Sequence, residues 1–259
     1  MGSRWRPQQV VSFMDAHPSR AYFSRLFSDG GFRVGMEVGV AHGRFSEHFL
    51  LTGKPAQWWM VEPYPTDELQ SRLAISSNGS IDRTKGSWAE RRIGSDVHVR
   101  FLLGKSMDHQ VRRMLVDGLF DFVYLDGAHD YRTVQRELHA YWPLVRPGGV
   151  LAGHDYCDHG EKSSALTDLR VPRCQPYTEY GVRHGKPAGK MAQSQHGVVN
   201  AVHEWLAAER QRSPTHARLL KLHHTLENFT RRSLAADGLD YDLVITSTYN
   251  PSFYFVKPP

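Results

Sequence analysis

The chain has 259 residues, 40% of them apolar and 23% charged, with a formal net charge of +5. This is an ordinary globular composition, which excludes a disordered chain and a disulfide-stapled miniprotein. No run of about 18 apolar residues is present, so no transmembrane helix is expected. The start, Met1-Gly2-Ser3-Arg4-Trp5, has no apolar h-region and does not read as a secretory signal. The basic residues are scattered, so the positive charge favours anionic partners only weakly, and nucleic acid is not the expected partner. Cys157 and Cys174 read as free thiols, compatible with a reducing, cytoplasmic setting.

Short apolar runs alternate with amphipathic stretches. Residues 33–39 read as a first strand, followed by a helix over 42–51 with Phe45, His48 and Phe49 on one face. Residues 58–62 form the next strand, ended by Pro63, and 97–103 a third, ended by Gly104. A fourth spans 119–125 and stops at Asp126-Gly127. A helix over 131–145 carries Val134, Leu138, Tyr141 and Trp142 on one stripe, and 150–153 is a fifth strand. Near-continuous apolar strands alternating with helices imply a parallel sheet covered on both faces. Trp58 and Trp59 therefore read as core. A helix begins near Gly197, and its apolar stripe packs on the core or on a second copy in a homodimer. Two β-rich runs, 241–248 and 252–256, close the chain and are expected to pair as an antiparallel hairpin.

The fold expected is a single α/β domain, a Rossmann-like doubly wound sheet of seven mostly parallel strands ending in an antiparallel hairpin. Its core covers about 30–156 and 197–259. The stretch 156–196 is rich in Gly, Pro, Lys and His, and leaves the carboxyl end of a strand, as a substrate lid would. Tyr177, Tyr180 and His184 in it are candidate substrate contacts.

The first βα turn reads Glu37-Val38-Gly39-Val40-Ala41-His42-Gly43. Its glycines let backbone approach a ligand, and the following helix start offers unpaired N–H groups. Glu62, ending the second strand, can accept both hydroxyls of a ribose. A nicotinamide site would want a glycine two residues after Gly39, where Ala41 stands. Glu37 so near the turn would repel a pyrophosphate and suit an ammonium group, as in S-adenosylmethionine. An NAD-dependent oxidoreductase is therefore disfavoured.

The blocks Phe120-Asp-Phe-Val-Tyr-Leu-Asp-Gly-Ala-His-Asp-Tyr131 and Leu144-Val-Arg-Pro-Gly-Gly-Val-Leu-Ala-Gly-His-Asp-Tyr156 follow. Here the sequence resembles the class I S-adenosylmethionine-dependent methyltransferases, nearest to the branch of macrocin-type sugar O-methyltransferases. The resemblance implies that Glu37, Gly39 and Gly43 hold the amino-acid part of the cofactor. It places Glu62 at the ribose, Gly104, Lys105 and Ser106 by the adenine, and Asp126 beside the reacting methyl. The acceptor expected is a hydroxyl of a small molecule. An amine or RNA acceptor, or a non-catalytic cofactor-binding module, are the alternatives.

Methyl transfer to an alcohol needs a base or a metal at the oxygen. Metal-dependent relatives carry an acidic residue after strand four and an acidic or amide pair after strand five. Asp126 with His154 and Asp155 fall at these places, a candidate set for magnesium or manganese, although an imidazole suits magnesium poorly. His129 stands where catechol-type relatives have a lysine and is the candidate general base, with Asp126 the second catalytic candidate. A zinc set of His154, Cys157, His159 and Cys174 lacks a second short-spaced pair. Asn250-Pro251 reads as turn chemistry.

Overall fold

The computed structural model describes residues 4–94, 96–157, 171–172, 188–227, 231–240, 243 and 250–259. Seven strands form one sheet: β1 (Val34–Val38), β2 (Gln57–Glu62), β3 (His98–Leu103), β4 (Phe120–Leu125), β5 (Val145–Gly153), β6 (His223–His224) and β7 (Phe253–Val256). Their order is β3-β2-β1-β4-β5-β7-β6. The first five are mutually parallel, while β7 runs antiparallel to both β5 and β6. The strand order reverses between β1 and β4, so a crevice opens there beyond the carboxyl ends.

Alternate residues along each strand serve opposite faces. Met36, Val38, Trp59, Val61, Val123 and Leu125 pack one face against α6 (His109–Arg112), α7 (Tyr131–Tyr141) and α8 (Ala188–Arg212). Trp58, Met60, Phe122 and Tyr124 pack the other against α1 (Pro7–Ala16), α2 (Phe23–Asp29), α3 (Arg44–His48), α4 (Asp67–Leu73) and α5 (Ser87–Arg91). Adjacent Trp58 and Trp59 thus both lie in core, on opposite sides. Each fully buried Phe, Val or Met in these layers is worth roughly 1.5–3 kcal/mol relative to leaving it exposed.

The helix over 131–145 is shorter than expected. Asp130 caps its start by accepting from Thr133 N at 3.0 Å, and it ends at Tyr141. Strand β5 then begins at Val145, before the Pro147-Gly148-Gly149 kink, where the register against β4 shifts. Helix α8 begins at Ala188, nine residues before the expected start at Gly197. Gly197 is not a helix start but a contact point. A Cβ there would fall 2.5 Å from His129 O and 2.6 Å from Tyr131 N. Val198, Val202 and Trp205 pack inward, and the Trp205 ring meets Trp142 at 5.3 Å.

The antiparallel end of the sheet is present, but its pairing differs from the expected hairpin. Strand β7 takes His223 and His224 as partners through Tyr254 and Phe253. Pairing with 223–224 needs no tight turn at Tyr249-Asn250-Pro251, because the chain returns from farther away. Apart from Leu243, which is helical, residues 241–249 lie outside those described. Most of the lid segment 156–196, with His159, Cys174, Tyr177, Tyr180 and His184, also lies outside them. A second correction concerns Cys157, which is disulfide-bonded rather than a free thiol. That bond removes Cys157 from any zinc set. Among the described residues no helix is long and apolar enough to cross a membrane.

Candidate functional site

The crevice is floored by the turn after β1. Gly39 has φ +83°, and a Cβ on it would fall 2.3 Å from Gly127 Cα. The ends of β1 and β4 therefore touch backbone to backbone, an approach that the missing side chain of Gly39 allows. Asp126 N donates to Val38 O at 2.7 Å and Gly39 N to Val61 O at 2.9 Å, extending both ladders to the crevice edge. Gly43, at φ +76°, turns into α3, and a Cβ there would strike Leu69 at 2.6 Å.

Glu62 anchors this turn. One carboxylate oxygen accepts from the Val40 and Ala41 amides, both at 3.0 Å, and the other from Tyr64 N at 2.9 Å. Ala41, at φ +46°, is held in a left-handed conformation unusual for alanine. Glu37 is buried and accepts from Ser46 Oγ, which in turn accepts from Trp58 Nε1 at 2.8 Å. Burial pushes the Glu37 carboxyl well above the usual range; the Ser46 bond opposes this, and the neighbouring Asp126 and Glu62 carboxylates add to it. Three carboxyl groups from the ends of β1, β2 and β4 thus converge. Such a cluster attracts a cationic group and repels a phosphate.

Gly104, Lys105 and Ser106 follow β3. Gly104 N donates to Glu62 O at 3.2 Å, tying the loop to the backbone of Glu62. Ser106 O accepts from Tyr141 OH at 2.9 Å, and the Ser106 side chain hydrogen-bonds Glu137 on α7. Burial pushes the Glu137 carboxyl up to about 7, against the Ser106 bond and with help from Asp130.

The ends of β4 and β5 bring His129, Asp126, His154 and Asp155 together. His129 Nδ1 lies 3.1 Å from Asp155 Oδ2, and its side chain is partly exposed. Asp155 is buried at φ +57°, a left-handed backbone at a polar centre. Its Oδ1 accepts from Asn250 Nδ2 at 2.8 Å and lies 3.4 Å from His154 Nδ1. Burial works to raise the Asp155 carboxyl, but His154 and His129 outweigh it and hold it below its ordinary value. It is therefore a carboxylate at neutral pH, and the Nδ1 of His129 is the donor to it. That tautomer leaves Nε2 of His129 with a free lone pair.

His154 is buried, with Nδ1 3.2 Å from Asp126 Oδ1 and Nε2 2.5 Å from Arg20 Nη1. Burial lowers its proton affinity, and Asp155 and Asp126 more than compensate, raising it. A guanidinium only donates, so Nε2 must accept and the ring proton sits on Nδ1. This contact, more direct than the carboxylates' field, fixes the neutral ring in place.

Asp126, His154 and Asp155 are thus brought together as the sequence suggested, but not as a divalent-metal set. A metal on His154 Nδ1 would force the proton to Nε2, against the Arg20 donor. Both oxygens of Asp155 already serve Asn250 and His129. Among the described residues no group of three His, Cys, Asp or Glu is arranged to hold a metal ion. Sequence reasoning misses Arg20, Glu137 and Ser46 as parts of this framework, and it reads Asn250 only as a turn residue. No local pattern marks Arg20, which arrives from the turn before α2.

The architecture is that of the α/β methyltransferase fold, a mostly parallel seven-stranded sheet with antiparallel carboxy-terminal strands. Residues 36–156 match the family model of a methyltransferase domain, which bears out the class I resemblance over that stretch. A protein of Staphylococcus aureus, provisionally assigned as a caffeoyl-CoA O-methyltransferase, superposes with a TM-score of 0.51 at 12% identity, over 96% of this chain and 91% of that one. An O-methyltransferase of Bacillus cereus solved with S-adenosylhomocysteine gives a TM-score of 0.49 at 16% identity, over 97% and 90%. TomG of Streptomyces achromogenes, an O-methyltransferase of tomaymycin synthesis solved with S-adenosylmethionine, gives 0.48 at 15%, over 92% and 77%. At 12% identity the likeness to the Staphylococcus aureus protein is one of fold. No curated protein matches the sequence.

Proposed function

We propose that this chain transfers a methyl group from S-adenosylmethionine to a hydroxyl of a small molecule, with His129 as the general base. The observation that carries the reading is the His129–Asp155 pair at 3.1 Å, at the carboxyl ends of β4 and β5. It stands beside three carboxyl groups suited to a cationic ligand.

The residues present fit the cofactor. Glu62 keeps lone pairs for ribose hydroxyls, and an ammonium group beside Glu37 would favour the ionised form that burial disfavours. Gly39 and Gly43 hold the turn open to the amino-acid part. Gly104 and Ser106 would line the adenine side, and Asp126 would stand by the methyl. When bound, the cofactor supplies a methyl already activated by its positive sulfur.

What remains for the protein is to place an oxygen in line and remove its proton. Asp155 fixes the His129 ring through Nδ1–H, so Nε2 faces the crevice as acceptor. Asn250 and His154 hold Asp155 from behind. Gly197 lets α8 press directly on the His129 backbone, which fixes the loop that carries the ring. Such positioning is worth up to ~7–11 kcal/mol in favourable cases.

The test is calorimetry with S-adenosylhomocysteine and NADH, followed by methyl transfer to a panel of hydroxylated acceptors. Binding of the adenosyl ligand, and loss of roughly 10²–10⁴ in kcat for His129→Gln with unchanged cofactor affinity, is the expected result. NADH binding without adenosyl binding, or full activity of His129→Gln on an accepted substrate, would overturn it.

A further inference from the structure

We propose that Arg20 is the built-in cation of this centre: its guanidinium occupies the coordination partner that a divalent metal would need and locks His154 as an Nδ1–H donor. The proposal rests on the functional reading only for the name of the site. Its geometry belongs to the ligand-free chain.

Arg20 is 2% exposed. It opens the short turn Arg20–Tyr22, whose preceding Ser19 accepts from Ala21 N through its hydroxyl at 3.2 Å. The backbone of this turn is held from far along the chain. Arg20 N donates to Glu227 Oε1 at 2.9 Å and Ser19 Oγ to Glu227 Oε2 at 2.9 Å. Glu227 also accepts from Thr225 Oγ1 at 2.6 Å. Thr225 is joined to Ser252 at the edge of β7, its N donating to Ser252 O at 2.8 Å. The Ser252 hydroxyl lies 2.8 Å from Tyr124 OH on β4. The turn that carries Arg20 is thus anchored, directly or in sequence, by three other segments of the chain.

From that position Nη1 reaches His154 Nε2 at 2.5 Å. The lone pair a metal would recruit through ring reversal is already taken. On the other side of the ring, the Nδ1 proton points between Asp126 Oδ1 at 3.2 Å and Asp155 Oδ1 at 3.4 Å. One fixed positive charge thus stands behind two carboxylates through a polarised imidazole. Arg20 acts through His154 and is a positioning residue: it sets the orientation of Asp126 and Asp155, and through Asp155 that of His129.

Two measurements on the full ligand-free chain test this. Long-range ¹H–¹⁵N correlation of the imidazoles at mildly alkaline pH reads the His154 tautomer, with His154→Gln used for assignment. Titration with Mn²⁺, followed by the electron paramagnetic resonance of the free ion, reads metal binding. The expected result is protonated Nδ1 and unprotonated Nε2, with no stoichiometric Mn²⁺ site at millimolar metal. In Arg20→Gln the His154 nitrogen shifts change, and guanidinium restores them where Mg²⁺ does not. An Nε2–H tautomer in the wild-type protein, or a single Mn²⁺ site lost in Asp155→Asn, overturns the proposal. Should Arg20→Gln not fold, the two wild-type measurements decide. Failure to bind S-adenosylhomocysteine would count against the functional reading and leave these readouts unmoved.

Discussion

Replacing Glu137 by Gln isolates the energetic cost of one buried carboxyl. Glu137 lies on α7 with 2% of its surface exposed, and its carboxyl titrates at about 7 instead of its ordinary 4.5. A carboxyl raised on folding binds more protons in the native than in the unfolded chain between those two values. Stability is therefore full below about pH 4.5 and is lost as pH rises through about 7. At 1.36 kcal/mol per unit, the rise from 4.5 to about 7 corresponds to ~3 kcal/mol. Gln keeps the acceptor for Ser106 and cannot titrate. Urea unfolding of both proteins across mildly acidic to mildly alkaline pH checks this. The wild type should lose ~2–3 kcal/mol relative to Glu137→Gln over that range, making the variant relatively more stable at alkaline pH. Parallel stability profiles for the two proteins would refute the reasoning.

Gly39→Ala combines a left-handed backbone, costing ~1–2 kcal/mol, with a Cβ 2.3 Å from Gly127 Cα. It should lower the melting temperature and abolish adenosyl-ligand binding together; a stable, binding variant would show that the β1–β4 contact can relax. Glu62→Ala should weaken that binding by roughly 1.5–3 kcal/mol by calorimetry, through lost charge-assisted hydrogen bonds and an unbraced Val40–Ala41 turn. Unchanged affinity would remove Glu62 from the site. Ser46→Ala leaves the Trp58 indole and Glu37 without their shared partner and should cost ~1–3 kcal/mol in chemical unfolding. No loss there would mean that water replaces the hydroxyl.

What is legible in the sequence is what is local in the chain. Strands β1, β2, β4 and β5 announce themselves because each is nearly all buried and therefore mostly apolar, while the edge strand β3 shows an alternation in which Val99 and Phe101 are more covered than His98 and Arg100. The Glu37–Gly43 turn, Glu62 and the Asp126–His129 and His154–Asp155 segments follow immediately from strand ends, so chain position alone places them on one edge. Their roles are another matter. Asp155 reads as a metal ligand in one dimension, whereas in three it orients His129 and is held by Asn250, which comes from the far end of the chain. Arg20 carries no pattern at all, because its position depends on Glu227, Thr225 and Ser252, residues brought near only when the sheet closes. Strand six escapes the sequence for the same reason. A two-residue strand at His223–His224 is too short to show periodicity, and only pairing with Tyr254 and Phe253 makes it a strand. Local burial patterns thus determined the sheet and its functional edge. Which proton sits on which nitrogen, and whether the centre's positive charge comes from a metal or a side chain, were decided by contacts between distant segments.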